Sequence, residues 1–427
     1  MAGCGTVRNL IVPVAAFQKA MQNFAGQYLQ FVENDRMDDD AITPVPGTVL
    51  NHGKPISLEK VELIGVAAES VQGGGEAKIW TSLALTSDDP GFHMIAENLS
   101  SALTHLAQQA GTFVDLSRAN CVVLVVRPNK QAELWIDGAA TCLQMMLKRS
   151  VAALTPVFEA DIADVIGMWF PALCIDSSDR LLVLFRENWG FGLFFDLAPE
   201  GELDIEHSKQ ELGRLYRRLK FRQLYGVLAN SLVFDRLVAT GWFPFVELLG
   251  SEFQELVNHC SAGFVIDEIE AKLVASFDDA RLEHMVARWE TKANLKDKMP
   301  LLKEAVRHFK AREPIASIKI AITEIEGVLR AAAPAPSPGG RQSMKDLLKH
   351  AIDAAIKKSG GPDTLLLSDA FALYLREYTF AQFDPSQGMG QAGSRHAVGH
   401  GAAAADTYTD ARALQALLTI DQLAFYT

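Results

Sequence analysis

The sequence predicts an α+β N-terminal domain followed by an all-α helical region. Three observations predict it. Short runs rich in Val, Ile, Phe and Trp, separated by turn residues, recur between 56 and 200. Beyond residue 206 the apolar positions recur at three- and four-residue spacing. A stretch rich in Ala, Pro and Gly at 331–342 then separates a helical region, 207–330, from a last helical part, 343–427.

The elements follow in order. Residues 1–55 read as irregular, with a helix expected over 18–32 (Ala20, Met21, Phe24, Tyr28, Phe31) and an acidic loop over 35–40. Strands are expected over 60–66 and 77–85, with the turn Gln72-Gly73-Gly74-Gly75 between them. The spacing of Leu99, Leu103 and Leu106 predicts a helix over 95–109. A continuous apolar run at 121–126 reads as a buried strand, and 131–136 alternates behind the turn Pro128-Asn129-Lys130. Further strands are expected over 168–174, 180–185 and 191–195. Helices are expected over 210–230, 243–260, 266–274, 279–291, 300–310 and 315–329. The capping box Ser343-x-x-Asp346 opens a helix carrying Leu348, Ile352 and Ala355 as far as Gly360. A helix over 363–383, a Gly-rich loop over 385–393 and a short segment 395–401 come next. Thr407-x-x-Asp410 is expected to cap a final helix with Leu414, Leu417, Leu418 and Phe425.

Composition narrows the function classes. With 49% hydrophobic and 22% charged residues the chain is an ordinary globular protein rather than a disordered one. No apolar run is long enough to span a bilayer, and the first residues lack the basic start and long core of a secretory signal, so the cytoplasm is the expected compartment. The cysteines Cys4, Cys121, Cys142, Cys174 and Cys260 are odd in number and widely spaced, which argues against a disulfide framework or a zinc site. Residues 1–200 carry 13 Lys and Arg against 23 Asp and Glu, and residues 201–427 carry 27 against 29. The first half would repel a polyanion, whereas the second is near neutral and has room for local basic faces.

Nucleotide and hydrolase motifs are absent. There is no G-x-x-x-x-G-K-[ST] and no G-x-S-x-G. The run Trp189-Gly190-Phe191-Gly192 is flanked by strands rather than by a strand and a helix, and reads as a tight turn with aromatic packing.

The chemistry concentrates at Arg395 and His400. A histidine transfers protons near neutral pH, as cleavage of RNA through its 2'-hydroxyl requires. An arginine can hold the phosphate and stabilise growing charge through paired N–H donors. No metal or cofactor is needed. A five-residue offset sets the two side chains about 140° apart on an ideal helix, so either the segment bends or one site draws residues from two copies of the chain. His396 and His400 have the i,i+4 spacing of a helical metal pair, but no Cys or acid is placed as an obvious third ligand.

The segment Ser394-Arg395-His396-Ala397-Val398-Gly399-His400-Gly401, followed by Tyr408 and the run 413–423, resembles the end of HEPN-type helical domains. These share an Arg, a polar residue, a few residues and a His, and His396 takes the polar place. The run 318–329 adds to the likeness, which covers roughly the last half of the chain. The resemblance implies that the chain ends in a HEPN-like helical bundle, that it forms a homodimer, and that it cleaves RNA without metal in a toxin or antiviral defence setting. The alternative is a non-enzymatic interaction or sensor protein, in which the bundle mediates assembly and the N-terminal domain meets a regulatory partner or ligand.

Glu326 and Asp421 lie on or beside apolar stripes, where a carboxylate needs a partner. Each could support Arg395 or His400, or be a helix-flank acid reaching water. Arg214, Arg217, Arg218 and Arg222, with Lys220, form the most basic stretch, either an RNA-backbone contact or a solvated helix face. The run Trp242-Phe243-Pro244-Phe245 reads as core or helix-entry packing.

Overall fold

Three layers are built from the first half of the described chain. The computed structural model describes residues 54–198, 201–335, 342–383, 386 and 388–427. The helix expected over 18–32, the acidic loop 35–40 and most of the segment 1–55 lie outside these residues, as do 336–341 of the expected linker. The strands are β1 (Ile56–Leu58), β2 (Val66–Ala67), β3 (Ile79–Trp80), β4 (Ser82–Thr86), β5 (Cys121–Val126), β6 (Ala132–Ile136), β7 (Cys142–Leu147), β8 (Ile162–Trp169), β9 (Arg180–Glu187) and β10 (Gly190–Asp196). Six of them form one antiparallel sheet in the order β1-β6-β5-β9-β10-β4.

The middle strand β5 explains the layering. Val122, Leu124 and Val126 enter one apolar core, and Val123 and Val125 enter another. A strand buried on both faces must be apolar throughout, which is why this run shows no alternation. Helix α1 (Phe92–Gln109) covers the first face with Ile95, Leu99 and Leu103. Helix α2 (Ile205–Lys220) covers the second with Leu212, Leu215 and Leu219.

Other strands depart from expectation. The stretch 60–65 makes no ladder, and only β2 pairs, with β3. The strand expected over 168–174 ends at Trp169. β7 and most of β8 were not expected at all. They form a two-stranded ribbon with register shifts at Gln144/Met145 and Met146/Leu147. Such shifts break the period-2 pattern from which a strand is read.

The second half is helical: α3 (Arg222–Ala229), α4 (Ser231–Ala239), α5 (Ser251–Ala262), α6 (Asp267–Ser276), α7 (Asp279–Glu290), α8 (Met299–Lys310), α9 (Pro314–Ala332), α10 (Met344–Ser359), α11 (Ser368–Tyr374), α12 (Arg395–Gly399) and α13 (Asp410–Tyr426). Helix α13 is the hub, packed by α6, α7, α8, α9 and α10, and every residue from Ala413 to Tyr426 is buried. Polar side chains within that buried stretch find partners. Gln422 accepts from the Val246 N–H at 2.9 Å and donates to the Leu366 carbonyl at 3.0 Å. Thr419 donates to the Gln415 carbonyl. Burial without such partners would cost several kcal/mol, of the order of 2–7 for each group.

The capping box at Ser343 and Asp346 is formed, and Gly360 ends α10 in the left-handed region. The helix expected over 210–230 is divided at Phe221. The helix expected over 243–260 starts only at Ser251, because Trp242, Phe243, Phe245, Val246 and Leu248 are buried as an aromatic turn. The cap of α13 is Thr409, not Thr407. The Thr407 hydroxyl instead accepts from the Ala392 N–H and donates to the Ala404 carbonyl. Trp189 sits at the β9–β10 turn 88% exposed, so it supplies no packing there. Among the described residues no helix is long and apolar enough to cross a membrane.

Candidate functional site

Local chemistry builds the short helix α12. The Ser394 hydroxyl caps it by accepting from the Ala397 N–H, and also donates to the Ala381 carbonyl. At the other end Gly401 has φ +67°, the Gly401 N–H reaches the Val398 carbonyl, and the Ala402 N–H reaches the Ala397 carbonyl at 2.8 Å. This pair of bonds is a Schellman cap, and it needs a residue that adopts left-handed backbone freely. The Gly-rich loop then pairs with the chain beyond the cap. The Gly390 N–H donates to the Ala402 carbonyl and the Ala404 N–H to the Gly390 carbonyl, both at 2.9 Å. A Cβ on Gly390 would run into Ala397 and Phe383, so glycine is what lets the loop lie against α12. Ala397 and Val398 face inward, and α12 packs on α9.

This frame holds Arg395 at the start of α12 and His400 at its end. Arg395 Nη2 lies 2.6 Å from Glu326 Oε2, and Arg330 Nη2 lies 2.6 Å from Glu326 Oε1. Glu326 on α9 therefore bridges two guanidinium groups, that of Arg330 on its own helix and that of Arg395 on α12. Burial by itself would raise its pKa, but the Arg330 hydrogen bond and the charges of Arg395, Arg330 and His396 outweigh burial and hold the carboxyl below its usual range. Arg395 Nε is buried with no hydrogen-bond partner.

His400 is exposed and faces a cleft of about 630 Å³ lined by Phe383, Gly388, Met389 and Ala402. The His396 and His400 rings lie 6.5 Å apart at 15° between planes. Among the described residues no hydrogen bond or ion pair joins Arg395 to His400. Arg395 turns toward α9, and His400 faces the cleft. Nor does any group of three or more His, Cys, Asp or Glu among them stand ready to hold a metal ion.

Of the two candidate acids, Glu326 meets Arg395 and Asp421 does not. Asp421 is fully buried on α13, where Arg288 Nη2 donates to both its oxygens at 2.8 and 2.9 Å and the Trp289 indole N–H donates at 2.8 Å. Arg288 also pairs with Glu247 at 2.5 Å and stacks over the Phe425 ring. Burial, with the Glu247 charge, pushes the Asp421 carboxyl above its usual range against the pull of Arg288. The reason for the correction is topological. The inward stripe of α13 faces α7, and Arg288 fills that position.

The basic stretch is divided between burial and surface ion pairs. Arg217 is buried, bonded to the Val165 carbonyl, 3.6 Å from Asp164 and 3.3 Å from the Tyr225 hydroxyl. Arg214 pairs with Glu211 at 2.8 Å, Arg218 with Asp89 at 3.4 Å and Arg222 with Asp88 at 2.7 Å. Lys220 pairs with Glu159 at 2.8 Å. Asp88 and Asp89 arrive from the turn after β4, so Arg222 and Arg218 each face an acid from far along the chain.

One further cluster carries no motif in the sequence. Lys148, just past β7, shares a cleft of about 620 Å³ with Arg149, Asp161, Glu247, Glu252, Arg281 and His284. Its members come from segments far apart in the chain, so no local pattern could have singled them out. Against known proteins, no family model matches the chain, and no curated protein or solved structure does so either.

Proposed function

We propose that the chain is a metal-independent endoribonuclease of HEPN type, with a HEPN-like bundle at its end, acting as a homodimer in a toxin or defence setting. The observation that carries this reading is the exposed imidazole of His400 over an open cleft, on the same short helix as an arginine whose orientation a buried-edge carboxylate holds. His400 takes the 2'-hydroxyl proton or protonates the leaving 5'-oxygen. Arg395 binds the phosphate and stabilises the charge it gains, and His396 orients its neighbours. Because Arg395 and His400 of one chain diverge, a complete site takes Arg395 from one protomer and His400 from its partner.

The test is incubation of the purified chain with mixed RNA in EDTA. Cleavage that persists and leaves 2',3'-cyclic phosphate ends is expected. Metal-dependent cleavage leaving 5'-phosphates would overturn the mechanism. A second reading, a non-enzymatic assembly module, is favoured by the closed Arg395–Glu326–Arg330 cluster, since a guanidinium already neutralised has less to give to a phosphate. No cleavage of any RNA by the wild-type chain would favour that reading.

A further inference from the structure

The Lys148 cleft lies apart from the Arg395–His400 segment, and among the described residues its ion pairs leave one lysine over. Arg149 is held by both oxygens of Asp161, at 2.5 and 2.7 Å. Arg281 is held by both oxygens of Glu252, each at 2.9 Å. Glu247 is taken by Arg288, and Glu159 by Lys220. Lys148 has no ion pair within 4.0 Å among the described residues, although it lines the same space. Burial, with the repulsion of Arg281 and Arg288, outweighs the attraction of Glu247 and Glu252, and holds its pKa below the usual lysine range.

The backbone that carries this lysine is held from two sides. Lys148 follows directly on the register shift at Met146/Leu147, and such bulges re-aim the side chains beside them. Its N–H donates to the Asp161 carbonyl at 2.8 Å, and its own carbonyl accepts from Arg288. Ribbon and helix α7 therefore pin the residue from both sides. Among the described residues, this amine lines the cleft with no ion pair or hydrogen bond to account for it.

We propose that Lys148 is a nucleophilic amine and that this cleft takes a small aldehyde or ketone as an imine. The Nζ lone pair attacks the carbonyl carbon, and the C=O π electrons pass to oxygen. A proton moves from nitrogen to oxygen to give the carbinolamine. The hydroxyl then leaves as water, taking one proton from His284 or solvent, as the nitrogen lone pair forms the C=N bond. No oxidant or co-reactant is required, and the other product is water. The paired arginines and acids around the amine offer polar contacts to the rest of the ligand.

The experiment uses the full chain and a plain probe. Propionaldehyde with sodium cyanoborohydride, in brief exposure near neutral pH, traps any imine as a stable alkylamine, and peptide mass mapping reads the rate at each lysine. Lys349 and Lys272 serve as references, with side chains 73% and 66% exposed. Lys148 is expected to label several-fold faster than both, with a rate that levels off at lower pH than theirs. Labelling of Lys148 no faster than Lys349 and Lys272, or a rate that climbs with pH in step with theirs, would overturn the proposal.

Discussion

The candidate catalytic residues and the buried carboxyl of Asp164 can be tested separately. His400→Ala removes the proton-transfer group and should lower RNA cleavage by about 10²–10⁴-fold. Arg395→Ala should lower it by about 10²–10³-fold, and Arg395→Lys should not restore it fully, since lysine lacks the planar fork. His396→Ala should be milder. The Arg395–Glu326 pair is partly exposed, so Arg395→Ala should cost no more than about 1 kcal/mol of stability. Cleavage and melting temperature measured together decide between the two readings. An inactive wild type with a large melting shift in Arg395→Ala would leave the assembly role. Asp164 gives a test by pH. Burial pushes its carboxyl up to about 6, against the pull of Arg217 and the Leu365 and Val165 N–H groups, while Asp363 pushes it further up. Between its unfolded value of 3.8 and about 6, the folded chain holds a proton that the unfolded chain has released. Stability from this group is therefore present at low pH and lost as pH rises through about 6. Relative to Asp164→Asn, the wild type should gain up to about 3 kcal/mol between about pH 7 and pH 4 in urea titrations. A difference that stays flat across that window would contradict the assignment.

Helix α12 owes its place to two glycines that act differently. The space around a Cβ at Gly401 is open, so Gly401→Ala meets only left-handed backbone strain, about 1–2 kcal/mol. At Gly390 a Cβ would meet Ala397 and Phe383, and the loop must move away from α12. Gly390→Ala should therefore destabilise the chain more than Gly401→Ala in the same urea titration, and should disturb the His400 cleft as well. Equal costs would show that the contact between loop and helix is loose. The segment 395–401 was legible in the sequence as a short Gly-flanked unit, because glycines are local signals, whereas the Ser394 cap emerged only in the structure. That Arg395 turns to α9 while His400 turns outward was not legible, since the direction depends on which neighbour each face meets.

For the whole molecule, the divergence of Arg395 and His400 within one chain makes a dimer part of the proposed mechanism. Light scattering at micromolar concentration is expected to report a dimer, and mixing inactive Arg395→Ala with inactive His400→Ala chains should restore part of the cleavage. A monomer with full activity would refute the shared site. The packing around α13 frames this expectation. That helix is consumed by the core of its own chain, so the surface available for dimer contact lies on its neighbours rather than on α13.

The sequence by itself determined the elements whose cause is local. The apolar run of β5, the spacing of α1, α8 and α9, the capping box of α10 and the glycine end of α12 each follow from residues within a few positions of one another. It also picked out Arg395, His400 and Glu326, of which the first and last do meet. The tertiary structure alone decided where the charges go. Arg288 and Asp421 pair across 133 residues and Arg218 and Asp89 across 129, and Arg222 of α3 meets Asp88 from the same distant turn. The register-shifted ribbon that presents Lys148 was hidden for a related reason. Backbone propensity acts between neighbours in the chain, whereas ion pairing and burial act between neighbours in space, and the second kind of neighbour exists only once the chain has folded.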